Sequence, residues 1–164
     1  MQLVNKGLRI RIYPNQDMMQ KIEQGIGNAR FVWNRLLQMY KETYQLFKDH
    51  GYTRLQCNMT TFNTMLGMLK TEYDFLKLSE STSLQQVFRD LNKAFTSFFK
   101  GKSAYPKFKS KKNPKQSFRI QKNGNNIRIT NRRIRLAKLG FVRYHTSKEY
   151  RKLLKSSKNQ QHNH

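Results

Sequence analysis

Acidic residues are scarce in this chain: 164 residues carry 9 Asp plus Glu against 33 Lys plus Arg, a formal charge of +24. With a pI near 10.5, such a surface seeks a polyanion, meaning nucleic acid or an anionic membrane. Cysteine occurs once, as Cys57, which excludes an internal disulfide and any multi-cysteine zinc site and reads as small core filler. No apolar run is long enough to span a bilayer, and the amino terminus lacks a signal-peptide core, so a cytoplasmic protein is expected, associated with the nucleoid of a prokaryote when bound to nucleic acid. A membrane-surface reading wants a basic amphipathic helix with exposed Trp or Leu, and the apolar faces here look committed to a core.

The charge is uneven. Residues 1–99 hold 13 Lys/Arg and 8 Asp/Glu, whereas residues 100–164 hold 20 Lys/Arg and a single acid, Glu149. At the boundary stands KGKSAYPKFKSKKNPKQSF, residues 100–118, with Lys100, Lys102, Lys107, Lys109, Lys111 and Lys112 uninterrupted by any acid. Pro106 and Pro114, two of only three prolines, bias this stretch toward extended backbone. Its lysines suit phosphate neutralisation, and Tyr105 and Phe108 either stack on unpaired bases or fold back under the preceding helices. The blander alternative is a solvated loop.

The opening GLRIRIYPN alternates Leu8, Ile10 and Ile12 with Arg9 and Arg11, then breaks at Pro14, a half-buried strand with an arginine face. Asn15 is placed to cap a helix with Asp17 in its first turn. Met19, Ile22, Ile26 and Ala29 follow at helical spacing. After Gly25 and Gly27 the pattern resumes through Val32, Trp33, Leu36, Tyr40, Tyr44 and Phe47. One kinked helix and a helix-turn-helix bent at the glycines both fit; two helices are favoured. A short helix is expected over residues 58–70, capped by Asn58 or Thr60, with Phe62, Met65, Leu66 and Leu69 inward. The strongest signal is 81–99, where Leu84, Val87, Phe88, Leu91, Ala94, Phe95 and Phe98 form one stripe ending before Gly101. Beyond the lysines the period changes to two: SFRIQ, NNIRIT and RRIRLAKLGFVRYH read as strands in which Arg128 and Arg135 oppose an apolar face. Arg119, in SFRIQ, belongs to the same basic set. Residues 147–155 suit a further helix and 156–164 a frayed tail.

The expected fold is therefore α+β: a helical, helix-turn-helix-like lobe inserted after the first strand of a small, incomplete antiparallel β-barrel. The boundaries run 1–14 for the first strand, 15–100 for the lobe, 101–146 for the basic hinge and remaining strands, and 147–164 for the terminal helix and tail. Catalytic constellations are missing. Metal-dependent phosphodiester cleavage needs converging carboxylates, and the eight acids before residue 100 are spread over helix surfaces and ends. His162-Asn163-His164 spells HNH without the acids or fold that would give it meaning, and no phosphate loop or Ser/His/Asp arrangement appears. No cofactor and no small-molecule substrate are expected.

In order along the chain, LRIRIYPN, GNARFVWNRLL, SLQQVFRDLNKAFTSFFKG, YPKFKSKK, QSFR and RIRLAKLGFVRYH resemble the amino-terminal half of TnpB. This is the transposon-encoded OrfB family of RNA-guided DNA endonucleases, related to type V CRISPR effectors. The resemblance covers residues 3–155 and is specific as an ordered set. It implies that the strands form the family's wedge domain and the helices its recognition lobe, which together hold guide RNA and read a short DNA motif beside the target. It also places Gln85, near the start of the 81–99 helix, close to that motif, where glutamine can bond bidentately to adenine. A family member would continue into a RuvC-like nuclease with three carboxylates and a four-cysteine zinc element. None of those residues is here, so binding carries over and cleavage does not, as for a truncated product of a decayed element or a cut fragment. The alternative is an independent RNA- or DNA-binding module, or a competitor of full-length TnpB.

Overall fold

A computed structural model describes residues 7–51, 59–148 and 150–152. The expectations for Cys57, Asn58, Glu149 and residues 153–164, and for the side chains of Phe47, Thr60 and Phe62, lie outside the described residues. The chain runs β1 (Arg11–Tyr13), α1 (Gln16–Asp49), α2 (Met59–Glu72), a 3-10 turn (Asp74–Leu78), α3 (Ser81–Phe99), then β2 (Arg128–Ile129), β3 (Arg133–Leu136) and β4 (Gly140–His145). It is an α+β protein, with a helical lobe and an open four-stranded antiparallel sheet in the order β1-β4-β3-β2. Two compact units result: Gln20–Gln121, and Met1–Met19 with Lys122–His164. The lysine-rich segment expected as a hinge falls in the helical unit.

Asn15 starts α1 as expected, its Oδ1 accepting the Met18 amide at 2.9 Å, with Asp17 in the first turn and Lys48 in the last to oppose the helix dipole. The favoured break at the glycines is not there: α1 runs unbroken through Gly25 and Gly27 for 34 residues. Each glycine costs a helix about 1 kcal/mol, but the burial that follows outweighs it: Ala29, Val32, Trp33, Leu36, Leu37 and Tyr40 all enter the core. Gly25 has a packing role instead of a turning one. A Cβ there would stand 3.3 Å from the ring of Phe118, so its absence lets that ring lie on the helix backbone.

α3 supplies the facing stripe, with Leu84, Val87, Phe88, Leu91 and Phe95 buried. The Glu80 carboxylate caps it by accepting the Ser83 amide at 2.9 Å. Its end is a Schellman turn, in which Gly101 at φ +67° donates to Phe98 O and Lys102 to Ser97 O, each at 2.9 Å. Leu66 and Leu69 of α2 and Leu76 of the 3-10 turn close the core. Asn28, 1% exposed, ties α1 to that turn: its amide donates to Phe75 O and to Ser79 Oγ, at 3.2 and 2.7 Å.

The expected strand at SFRIQ is absent. Residues 117–121 keep the period-two alternation, but α3 serves as their partner: Gln121 N donates to Thr82 Oγ1, and the Gln121 side chain accepts from Gln86 and Arg89. In the other unit β3 and β4 form a hairpin that turns at Lys138, φ 58°, and Gly140, φ 91°. Ile134 and Val142, paired across it, are buried. After β4, Ser147 starts a helical turn, accepting the Arg151 amide through its carbonyl and the Tyr150 amide through its hydroxyl.

Candidate nucleic-acid interface

Residues 105–118 are strapped onto the helical lobe rather than left in solvent. Tyr105 folds back, its ring edge-on to Phe95 and Phe98 at 5.6 and 5.2 Å; burial raises its phenol above the ordinary value. Pro106 is buried beside it. Trp33 Nε1 donates to Lys107 O at 2.9 Å, and the Asn34 amide takes both backbone groups of Lys109, donating at 3.0 Å and accepting at 2.8 Å. Side chains of α1 thus fix an otherwise irregular segment through its main chain.

That anchoring sets the lysines. Lys109 lies over the Trp33 ring at 4.0 Å, and desolvation there lowers its pKa. Beyond it the chain makes a tight turn: Asn113 N donates to Ser110 O at 3.3 Å, and Lys112 N to Ser110 Oγ at 3.2 Å. Gln116 fills this turn from inside, its amide donating to Ser110 O at 3.0 Å and Asn113 O at 2.6 Å while its Oε1 accepts from Arg30 at 3.0 Å. Lys111 and Lys112 project from a braced turn, exposed, as are Lys100, Lys102 and Lys107. Phe108 remains 49% exposed, with Lys41 Nζ 5.0 Å from its ring centroid. A cavity of about 190 Å³ lies between the braced loop, α1 and α3, lined by Arg30, Gln86, Lys109, Lys115 and Arg119 among others.

Two candidates have structural duties here. Arg119 is ion-paired with Asp90, and Tyr105 belongs to the aromatic packing under the strap. Gln85 is half-buried on α3, while its neighbour Gln86 bonds Gln121 at 2.9 Å. The residues that sequence reading missed are the braces Trp33, Asn34, Arg30 and Gln116. The α1 braces find main-chain groups or polar side chains 74 to 86 residues away, and no local pattern announces such a bond.

The sheet carries a second basic surface. Arg11, Arg128 and Arg135 are exposed on it, and Arg9 is exposed just before β1. Arg133 and Arg143 join them, at positions whose period-two spacing in RRIRL and FVRYH could have marked them. Among the described residues no group of three His, Cys, Asp or Glu side chains could hold a metal ion, and no helix is long and apolar enough to cross a membrane.

Residues 1–49 match the OrfB/IS605 helix-turn-helix domain family, although the described part of that span holds one strand and one continuous helix. A protein of Escherichia coli (strain K12) that carries the name of an RNA-guided DNA endonuclease, InsQ, is 28% identical over 152 residues, 92% of this chain. One from Streptomyces pristinaespiralis, also named for RNA-guided DNA endonuclease activity, is 30% identical over 118 residues, 71% of this chain. The chain spans 36% and 28% of the lengths of these two relatives. With an OrfB helix-turn-helix domain at its amino terminus, the chain is homologous over most of its length to the InsQ- and TnpB-type RNA-guided DNA endonucleases.

Proposed function

We propose that this chain is a nucleic-acid-binding part of a TnpB-type protein, engaging DNA and guide RNA without cleaving either by itself. The observation that carries the reading is the braced, acid-free lysine strap: the backbone that bears Lys107, Lys111 and Lys112 is fixed by main-chain anchors, so little main-chain ordering entropy remains to be lost when a phosphate backbone arrives. Homology supports the DNA and RNA assignments, since both relatives are named for RNA-guided action on DNA. The absence of cleavage rests on chemistry, because two-metal hydrolysis needs carboxylates and Glu149 is the one acid after Asp90.

Within this reading Gln85, on the first turns of α3, contributes to recognition of the DNA motif, and the lysines hold backbone. The test is fluorescence anisotropy of the whole chain against RNA and duplex DNA over a salt series, with magnesium added to watch for cleavage. Salt-dependent binding and intact probes are expected. Absence of binding at low salt overturns the function, and magnesium-dependent cleavage co-eluting with the protein overturns its non-catalytic part. Gln85→Ala should change which duplexes are selected from a random pool; an unchanged preference removes that residue from the interface.

A further inference from the structure

The sheet's register puts like charges face to face. Arg133 on β3 stands directly opposite Arg143 on β4, and Arg128 on β2 opposite Arg135 on β3. Directly opposed like charges destabilise a sheet. Since successive side chains alternate between faces, Arg133, Arg135, Phe141 and Arg143 share one face, while Ile134 and Val142 are buried on the other. β1 extends that face, with Tyr13 opposite Arg143 and Arg11 opposite His145. From residue 122 to residue 148 the chain has no acid, nor has it one between residues 7 and 16. A merely solvated face would mix both signs.

Two aromatic rings stand in this field. Tyr13 is 49% and Phe141 48% exposed, an exposure that burial in a core would not leave. The Arg11 guanidinium carbon lies 5.6 Å from the Tyr13 ring centroid, so that ring already has a cation beside it. Through the register Tyr13 faces Arg143, and Phe141 is two residues along β4, which makes the two rings diagonal neighbours. Diagonal positions lie about 7–8 Å apart, within reach of adjacent nucleotides of an extended strand. Arginine forks bind phosphate bidentately, while exposed rings stack on bases of any identity. A duplex offers the phosphates but keeps its base faces within its own stack, so the rings discriminate between the two forms.

We propose that this sheet face is a platform for an unpaired stretch of nucleic acid, with phosphates on Arg128, Arg133, Arg135 and Arg143 and bases stacked on Tyr13 and Phe141. The inference rests on the reading of the chain as a nucleic-acid-binding protein and adds the strand form and the surface. It also accounts for the opposed arginines: the repulsion tolerated in the free protein is relieved when phosphate enters between them.

The experiment measures anisotropy of the full chain with three labelled probes, an oligouridine, an oligothymidine and a blunt DNA duplex. In the double variant Tyr13→Leu/Phe141→Leu, which keeps apolar bulk, affinity for both single strands should fall by about five- to hundredfold per ring, with duplex affinity unchanged. RNA and DNA losses of equal size identify stacking alone; a larger loss on oligouridine adds recognition of the ribose, and either result supports the platform. Arg133→Gln should weaken single-strand binding, flatten its log–log salt slope by about 0.7, and raise the melting temperature of the free protein. If the wild type binds none of the probes, the binding function itself falls. If it binds but the ring variant loses nothing, or loses single strand and duplex alike, the platform is overturned while the function stands. Should the double variant fail to fold by circular dichroism, 5-bromouracil photocrosslinking of the wild type decides: adducts on Tyr13 or Phe141 support the platform, and adducts confined to other residues overturn it.

Discussion

The side-chain amide of Asn34 treats Lys109 as a neighbouring strand would, donating to its carbonyl and accepting from its amide at 3.0 and 2.8 Å. A helix side chain thereby satisfies both polar groups of a residue in an irregular segment, which is the accounting that buried or ordered backbone requires. Asn34→Ala should detach the strap locally. The two broken bonds are together worth about 1–3 kcal/mol, so the melting temperature should drop by about 2–12 °C. Amide hydrogen exchange at Lys109 should accelerate strongly, and RNA affinity should fall although no lysine has been removed. Unchanged exchange would mean that Trp33, Arg30 and Gln116 hold the segment without Asn34.

Replacing Lys107, Lys109, Lys111 and Lys112 together by Ala removes the charge that the strap presents. Binding should weaken at all sequences alike, and the log–log salt slope should flatten by about 0.7–0.9 for each phosphate no longer neutralised. Anisotropy across a salt series reads this, with circular dichroism to confirm folding. An unaltered slope would leave the run as a solvated loop.

Phe95, 6% exposed, touches Tyr40 with ring centroids 4.0 Å apart and meets Tyr105 at 5.6 Å. Phe95→Ala should cost roughly 3–5 kcal/mol by thermal or urea unfolding, because the emptied volume lies between α1, α3 and the strap. A loss under about half a kcal/mol would show that the stripe tolerates truncation, contrary to ordinary core behaviour.

Tyr105 gives a pH signature. Desolvation raises its phenol above 10.0, so the folded chain holds that proton after the unfolded chain has released it. Its stabilising effect is complete below pH 10.0 and is lost as pH rises through the higher folded value. Stability should therefore fall more steeply on the alkaline side in the wild type than in Tyr105→Phe, which keeps the ring between Phe95 and Phe98. Parallel alkaline limbs in the two proteins would place the hydroxyl in water.

Local pattern determined much of this protein. The stripe in 81–99, the Asn15 cap, the Gly101 stop and the arginine alternation of the late strands are all readable because each depends on residues within a turn or two of one another. The α+β class and the basic, acid-poor second half followed from the same short-range signals and from composition. Where the reading failed, the deciding partner was remote. Gly25 looked like a break because Gly usually is one; Phe118, distant in sequence, makes it a packing position inside a continuous helix. SFRIQ alternates as a strand does, yet the alternation serves α3 and Thr82, not another strand. The two fates open to Tyr105 and Phe108 could not be separated by sequence, because both are aromatics in a lysine run; only the Phe95–Phe98 surface, complementary to one of them, sorts Tyr105 inward and leaves Phe108 half-exposed. Charge was settled by the order of residues along the chain. Which charges are braced, which are paired and which face each other across a sheet is a matter of register and long-range hydrogen bonding, and the tertiary structure alone decided it.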